Sequence, residues 1–184
     1  SALVMSNPGW FKYCWYWNKL QCAGHLLAKK QPLKVIEEVC IFSQNTPYNP
    51  ILRDKKVRDI RKNAANVNPI RDSVYGDFDH RMKYDTREIP IDKSYPVNLL
   101  EFNARGNTKT TLHPTQKPVA LFEYLIRTYT NEGDTVLDNC AGSGTTGVAC
   151  LNTGRKFILI EKEPEYIEII KKRIEAEKKQ IKMF

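Results

Sequence analysis

A short apolar segment followed at once by a glycine-containing turn and a helix constrains the fold of this chain more than any other feature. It reads Asp-Thr-Val-Leu-Asp-Asn-Cys-Ala-Gly-Ser-Gly-Thr-Thr-Gly-Val-Ala, from Asp134 to Ala149. The apolar part ends at Asp138, and Gly142 and Gly144 allow the backbone to turn tightly and to approach a ligand closely. Strand, turn and helix in this order place a ligand at the carboxyl end of the strand and the N-terminus of the helix. The segment therefore predicts a bound nucleoside-type cofactor.

The glycines leave two cofactor classes open. Gly142, Gly144 and Gly147 have the G-x-G-x-x-G spacing of dinucleotide-binding proteins, whereas no Lys follows them as a phosphate-binding Walker loop requires. The carboxylate of Asp138 just before the turn would repel a pyrophosphate but would suit a positively charged amino group. S-adenosylmethionine (SAM) has such a group and a cationic sulfonium, so SAM is the favoured cofactor. A dinucleotide-dependent oxidoreductase stays the alternative.

A second apolar segment supports a nucleoside ligand. Residues 156–160 follow a turn at Gly154 and lead directly to Glu161. This acidic residue lies about 20 residues past the glycine turn, where such folds hold ribose hydroxyls. Pro164 suits the first turn of a helix, and apolar residues recur behind it at helical spacing. The charged residues between them, including Arg173, are interpreted as a solvated face.

The segment before the glycine turn carries a family resemblance. It begins His-Pro-Thr-Gln-Lys-Pro at His113 and continues as an amphipathic helix to Arg127. This loop, the glycine turn and the strand ending in Glu161 occur in the order that resembles the beta group of DNA amino-methyltransferases. Two strand-like segments upstream, residues 11–18 and 35–42, flank an Ala-Lys-Lys-Gln-Pro-Leu stretch and extend the resemblance.

The resemblance implies a three-layer Rossmann-like α/β methyltransferase fold, with a mostly parallel twisted sheet and a polar target-recognition insert. It also implies methyl transfer from SAM to an exocyclic amino group of adenine in duplex DNA, with cytosine the less favoured target. Glu161 would hold the ribose, Thr115 and Lys117 the methionine carboxylate, and His113 is interpreted as a loop-shaping residue rather than a general base. The implied cofactor-binding residues are Asp138, Ala141, Gly142, Ser143, Gly144, Thr145, Thr146, Glu161, Thr115 and Lys117.

The Asp-Pro-Pro-Tyr motif that holds the flipped target base in this family has no copy in the sequence. Residues 7–10 have Gly9 in place of the second Pro, and residues 46–50 lack the acidic residue, so both are interpreted as turns. We therefore expect no catalytic residue in this chain, with the motif upstream of Ser1. A chain inactive by itself, either a C-terminal portion or half of a split enzyme, is the main interpretation. A non-catalytic partner subunit that binds cofactor and DNA is the alternative.

The charge of the chain favours DNA as a partner. Its formal net charge is +8, and the densest basic cluster lies at residues 53–62. Basic side chains bind phosphate backbones by displacing counterions. We expect residues 1–45 to belong to the catalytic side of the core, 46–111 to form the target-recognition insert and 112–184 to bind the cofactor. The candidate DNA-binding residues are Lys29, Lys30, Arg53, Lys55, Lys56 and Arg58.

Cysteine usage and hydropathy set further expectations. The five cysteines show no paired metal-ligand spacing, so no metal site is expected, and their odd number without a signal peptide indicates a reducing bacterial or phage-host cytoplasm. Cys140 is interpreted as a packing residue rather than a nucleophile. No apolar run is long enough to span a membrane. The expected partners are duplex DNA with one flipped base and either a second copy of the chain or a separate N-terminal half.

Overall fold

The computed structural model describes residues 1–55, 89–90, 92–104 and 116–181. Its helices are α1 (Ala2–Ser6), α2 (Val119–Tyr129), α3 (Thr145–Asn152) and α4 (Pro164–Ile181), with a 3-10 turn at His25–Leu27. Its strands are β1 (Phe11–Ala23), β2 (Lys34–Phe42), β3 (Arg53–Asp54), β4 (Lys93–Ser94), β5 (Leu99–Glu101), β6 (Thr135–Asp138) and β7 (Lys156–Leu159). None of these helices is both long enough and apolar enough to cross a membrane.

The chain divides into two compact units, Ser1–Asn49 with Val97–Phe184, and Pro50–Pro96. Within the second unit, β3 and β4 form a short antiparallel pair in which Lys93 contacts the carboxylate of Asp54. The unit lies inside residues 46–111, the segment expected to be an insert. Its role as a target-recognition element stays a prediction.

A three-stranded sheet in the first unit is built around the aromatic strand β1. This strand pairs antiparallel with β2 and parallel with β5. Alternate residues face opposite sides of a strand, so Trp15 and Trp17 share one face, and both are nearly fully buried. They form a core cluster with Leu100 and with Leu121 of α2. The indole N–H of Trp17 donates to the carbonyl of Phe102 at 2.8 Å, so this buried donor is satisfied.

The glycine-turn region forms a strand–helix–strand unit covered by α4. Strands β6 and β7 are parallel and in register, from Thr135 beside Lys156 onward. Helix α3 lies between them in sequence and is buried over most of its length. A Cβ atom at Gly147 would lie 2.8 Å from side-chain atoms of both Ile174 and Leu159. The third glycine of the G-x-G-x-x-G spacing thus permits close packing of α3 against α4 and β7.

Candidate functional site

The candidate site lies where β6 and β7 end and α3 begins. Asp138, the last residue of β6, is half-buried, and its carboxylate accepts hydrogen bonds from the backbone N–H of Cys140 at 3.0 Å and from the hydroxyl of Thr146. Gly144 precedes α3 with φ of 78°, a left-handed conformation that side chains other than glycine rarely adopt. The turn therefore holds the Asp138 carboxylate in one orientation beside the helix N-terminus.

Glu161 links the glycine turn to the end of β7. One carboxylate oxygen accepts the backbone N–H of Gly142 at 2.7 Å. The other accepts the N–H groups of Lys162 at 2.8 Å and Glu163 at 3.0 Å. Charge-assisted hydrogen bonds of this kind are stronger than neutral ones. Glu161 thus has a structural function at the turn, and its predicted contact with a ribose stays a prediction.

Arg173 of α4 also supports the turn. Its guanidinium donates to the carbonyl of Ser143 at 2.6 Å and to the Ser143 hydroxyl oxygen at 3.0 Å. Burial lowers the pKa of this guanidinium, which nevertheless stays charged at neutral pH. The prediction of a solvated side chain was wrong. Arg173 adjoins the buried Ile174 at the edge of the apolar face, and from there its long side chain reaches the turn.

The end of the loop before α2 contacts the glycine turn. The hydroxyl of Ser143 donates to the side-chain oxygen of Gln116 at 3.3 Å, and the hydroxyl of Thr145 donates to the carbonyl of Lys117 at 3.3 Å. Between loop and turn lies a cavity of about 90 Å³, lined by Gln116, Lys117, Phe122, Asp138 and the turn residues. Seven of the ten residues predicted to bind cofactor line it: Lys117, Asp138, Ala141, Gly142, Ser143, Thr145 and Thr146.

Lys117, which lines this cavity, also takes part in an ion-pair cluster with Glu37 and Lys19 of the three-stranded sheet. The ammonium of Lys117 lies 3.2 Å from one carboxylate oxygen of Glu37 on β2, and the ammonium of Lys19 lies 3.3 Å from the other. The Lys117 ammonium also lies 5.8 Å from the centre of the Trp17 ring. Burial raises the pKa of Glu37, but the hydrogen bonds and charges of the two lysines outweigh it and hold that pKa below its ordinary value. No local sequence pattern indicated a site function for Glu37.

The remaining predicted site residues are distributed as follows. Thr115, His113, Lys56 and Arg58 lie outside the described residues. Lys29 and Lys30 are exposed in the first unit, directly after the 3-10 turn. In the second unit, Arg53 donates to the hydroxyl of Ser94 at 3.1 Å and to the carbonyl of Tyr95 at 3.2 Å, while Lys55 is half-buried.

The chain is similar in sequence to known DNA methyltransferases. Residues 2–172 match the DNA methylase family of N6 and N4 methyltransferases. A 65-residue segment is 55% identical to the type II methyltransferase M2.DpnII of Streptococcus pneumoniae, covering 35% of this chain and 24% of that protein. A 64-residue segment is 51% identical to the DNA adenine methyltransferase YhdJ of Escherichia coli (strain K12), covering 35% of this chain and 22% of that protein. The matched segments thus span about a quarter of these relatives.

Solved structures share the fold over most of the chain. The structure of M1.HpyAVI in complex with SAM aligns with a TM-score of 0.57 and 26% identity, covering 94% of this chain and 66% of that one. The cytosine-N4-specific PvuII DNA methyltransferase aligns with a TM-score of 0.59 and 21% identity, covering 94% and 54%. The predicted Rossmann-like α/β fold is confirmed. The family match also decides against the oxidoreductase interpretation of the glycine spacing. The chain belongs to the DNA methylase family of N6 and N4 methyltransferases.

Proposed function

We propose that this chain binds SAM at the glycine turn and is the cofactor-binding part of an enzyme that methylates an exocyclic amino group of adenine in duplex DNA. One observation carries the proposal. A carboxylate, a glycine turn and a helix N-terminus border one cavity at the carboxyl end of β6. This is the place where open α/β sheets bind their ligands.

The residues around the cavity fit the amino-acid end of SAM. The Asp138 carboxylate supplies a negative charge for an ammonium. Lys117 also lines the cavity, and its ammonium would turn from its ion pair with Glu37 to meet the carboxylate of the ligand. The cavity of about 90 Å³ is below the range of about 300–1,000 Å³ that is usual for whole ligands. The described part of the pocket therefore suits one zwitterionic end of the ligand rather than all of it.

The chain's own residues would hold this ligand rather than react with it. When bound, SAM supplies an activated methyl group on its sulfonium. Asp138 would fix the ammonium end because Cys140 and Thr146 already orient its carboxylate. Such preorganisation lowers the entropic cost of bringing two reactants together. The other proposed cofactor contacts are Ala141, Gly142, Ser143, Gly144, Thr145, Thr146, Lys117, Thr115 and Glu161.

Calorimetric titration with SAM tests the cofactor site. We expect saturable binding that weakens at least about tenfold, or about 1.4 kcal/mol, in Asp138→Asn. Asp134→Asn is the matched control, since Asp134 lies just before β6 outside the cavity lining, where its carboxylate accepts the turn N–H of Asn131 at 2.7 Å. Equal SAM affinity in Asp138→Asn and the native chain would contradict the proposed site.

Product analysis tests the target base. The name of YhdJ, with 51% identity over its matched segment, supports adenine for this chain. Because this chain by itself is expected to be inactive, it would be combined with the proposed catalytic part of the enzyme and incubated with duplex DNA and methyl-labelled SAM, and the nucleosides would be separated after digestion. Detection of N6-methyladenine would support the proposal. Detection of N4-methylcytosine would show that the target base is cytosine rather than adenine. SAM binding without methyl transfer, even with the catalytic part present, would favour the non-catalytic subunit.

A further inference from the structure

Two cysteines face each other across the antiparallel pair β1–β2. In its register Cys14 lies opposite Cys40, and Tyr16 lies opposite Glu38. The backbone N–H of Tyr16 donates to Asn98, on the β5 side, so it points away from β2. Cys14, two residues earlier, has the same backbone orientation. The Cys14–Cys40 pair is therefore of the non-hydrogen-bonded type, in which opposed side chains lie closest together.

The ligand atoms of three side chains converge on this face of the sheet. The sulfur atoms of Cys14 and Cys40 are 3.6 Å apart, and a carboxylate oxygen of Glu38 lies within 4.8 Å of both. Two sulfurs bound to one tetrahedral ion at about 2.3 Å each lie about 3.8 Å apart. The two thiols thus already have nearly the spacing that one ion requires. Among the residues that the structure describes, no other His, Cys, Asp or Glu group has this geometry.

We propose that Cys14, Cys40 and Glu38 form a binding site for a thiophilic divalent cation of the Zn²⁺ or Cd²⁺ class, with water at the fourth position. Thiolate ligands select such soft ions over Mg²⁺ or Ca²⁺. On binding, each thiol releases one proton to solvent and forms one sulfur–metal bond. Two thiolates and one carboxylate then carry three negative charges around a dication, so the ion removes most of their mutual repulsion.

The neighbours of the Cys14 thiol also affect its ionisation, so an ion has to displace its proton on binding. Burial raises the pKa of the Cys14 thiol, and the neighbouring Cys40 and Glu38 raise it further. Without an ion the Cys14 thiol therefore stays protonated at neutral pH. The site lies on the face opposite Trp15 and Trp17, away from the core cluster. The proposed metal site is thus spatially separate from the core cluster.

Spectroscopic titration of the reduced chain with Cd²⁺ tests this proposal. We expect a thiolate-to-metal charge-transfer band in the ultraviolet that saturates at one equivalent, with an intensity matching two thiolates. Cys14→Ser and Cys40→Ser should each lose at least half of the band, and Glu38→Gln should bind at least about tenfold more weakly. Cys22→Ser is the control, because Cys22 is exposed on the same strand and lies outside the cluster. Unchanged titration of Cys14→Ser would overturn the proposal.

Alkylation mapping keeps the test decisive if a serine variant fails to fold. Cd²⁺ should protect Cys14 and Cys40 of the native chain from iodoacetamide, as read by mass spectrometry of peptides, while Cys22 stays reactive. Equal protection of all three, or of none, would overturn the site. A disulfide between Cys14 and Cys40 that persists in the presence of a reductant and excludes Cd²⁺ would also overturn it.

Discussion

The backbone N–H of Gly142 donates to the Glu161 carboxylate at 2.7 Å and so joins the glycine turn to the end of β7. A second bond, from the N–H of Ala141 to the carbonyl of Ile160 at 3.0 Å, runs between the same two segments. The residue that sequence reasoning assigned to a ribose therefore also fixes the shape of the turn. Cofactor affinity and local stability should depend on it together.

Glu161→Ala should lower both quantities. The change removes the acceptor for the N–H groups of Gly142, Lys162 and Glu163. Loss of hydrogen bonds to a charged acceptor should lower the free energy of unfolding by about 2 kcal/mol. Urea denaturation measures that change, and calorimetry measures the accompanying loss of SAM affinity. The control is Glu165→Ala, an exposed residue of the first turn of α4. If Glu161→Ala left SAM affinity unchanged, Glu161 would stabilise the turn without contributing to cofactor binding.

Gly147→Ala should destabilise the chain without changing its charge. The added methyl group would lie 2.8 Å from both Ile174 and Leu159, closer than van der Waals contact allows. Overpacking of this kind costs about 1–3 kcal/mol. Thermal or urea unfolding would measure it against Gly9→Ala, where the nearest atom to an added Cβ is 3.9 Å away. Combining Gly147→Ala with Ile174→Val should recover part of the loss. No difference between the two alanine variants would show that α3 and α4 can move apart freely.

Local sequence patterns predicted the elements that carry the candidate site. The apolar run ending at Asp138 became β6, and the proline at position 164 became the first residue of α4. These boundaries could be predicted because they depend on residues close together in the sequence: an apolar run defines a strand, and a proline favours the first turn of a helix. Even the length of β1 was underestimated, however, since the strand continues past Asn18 to Ala23.

The contacts that sequence reasoning missed all join distant parts of the chain. Cys14 and Cys40 are 26 residues apart and meet only because the register of β1 and β2 sets them opposite. Their spacing in the sequence therefore gave no metal signal. Arg173 looked solvated because its helical neighbours are charged, and the turn that it contacts is 30 residues away. Strand register and helix packing determine which of these residues come into contact, and a local motif specifies neither.

The ion pair between Glu37 and Lys117 should make stability depend on acidic pH. The lysines hold the pKa of Glu37 below its ordinary value of 4.5, so the folded carboxylate is stabilised relative to the unfolded one. This contribution is present above about pH 4.5 and is lost as the pH falls through the lowered pKa. The stability difference between the native chain and Glu37→Gln should therefore shrink between pH 7 and pH 3. Urea unfolding at several pH values measures it, with Glu101→Gln as control. A difference that stays constant over this range would contradict the ion pair.

Lys29 and Lys30 should contribute to DNA affinity in a salt-dependent way if they contact phosphates. Both are exposed, and neutralising one phosphate contact changes the slope of log affinity against log salt by about 0.9. Replacing both by Gln should therefore lower the magnitude of that slope by about 2, as measured by fluorescence anisotropy with a labelled duplex. The matched control replaces Lys178 and Lys179 by Gln, an equally adjacent and exposed pair near the end of α4. If both double variants lowered the salt slope equally, DNA binding would depend on net charge alone. A localised interface would instead make the Lys29 and Lys30 variant lose more than the control, although the two pairs have the same exposure and charge.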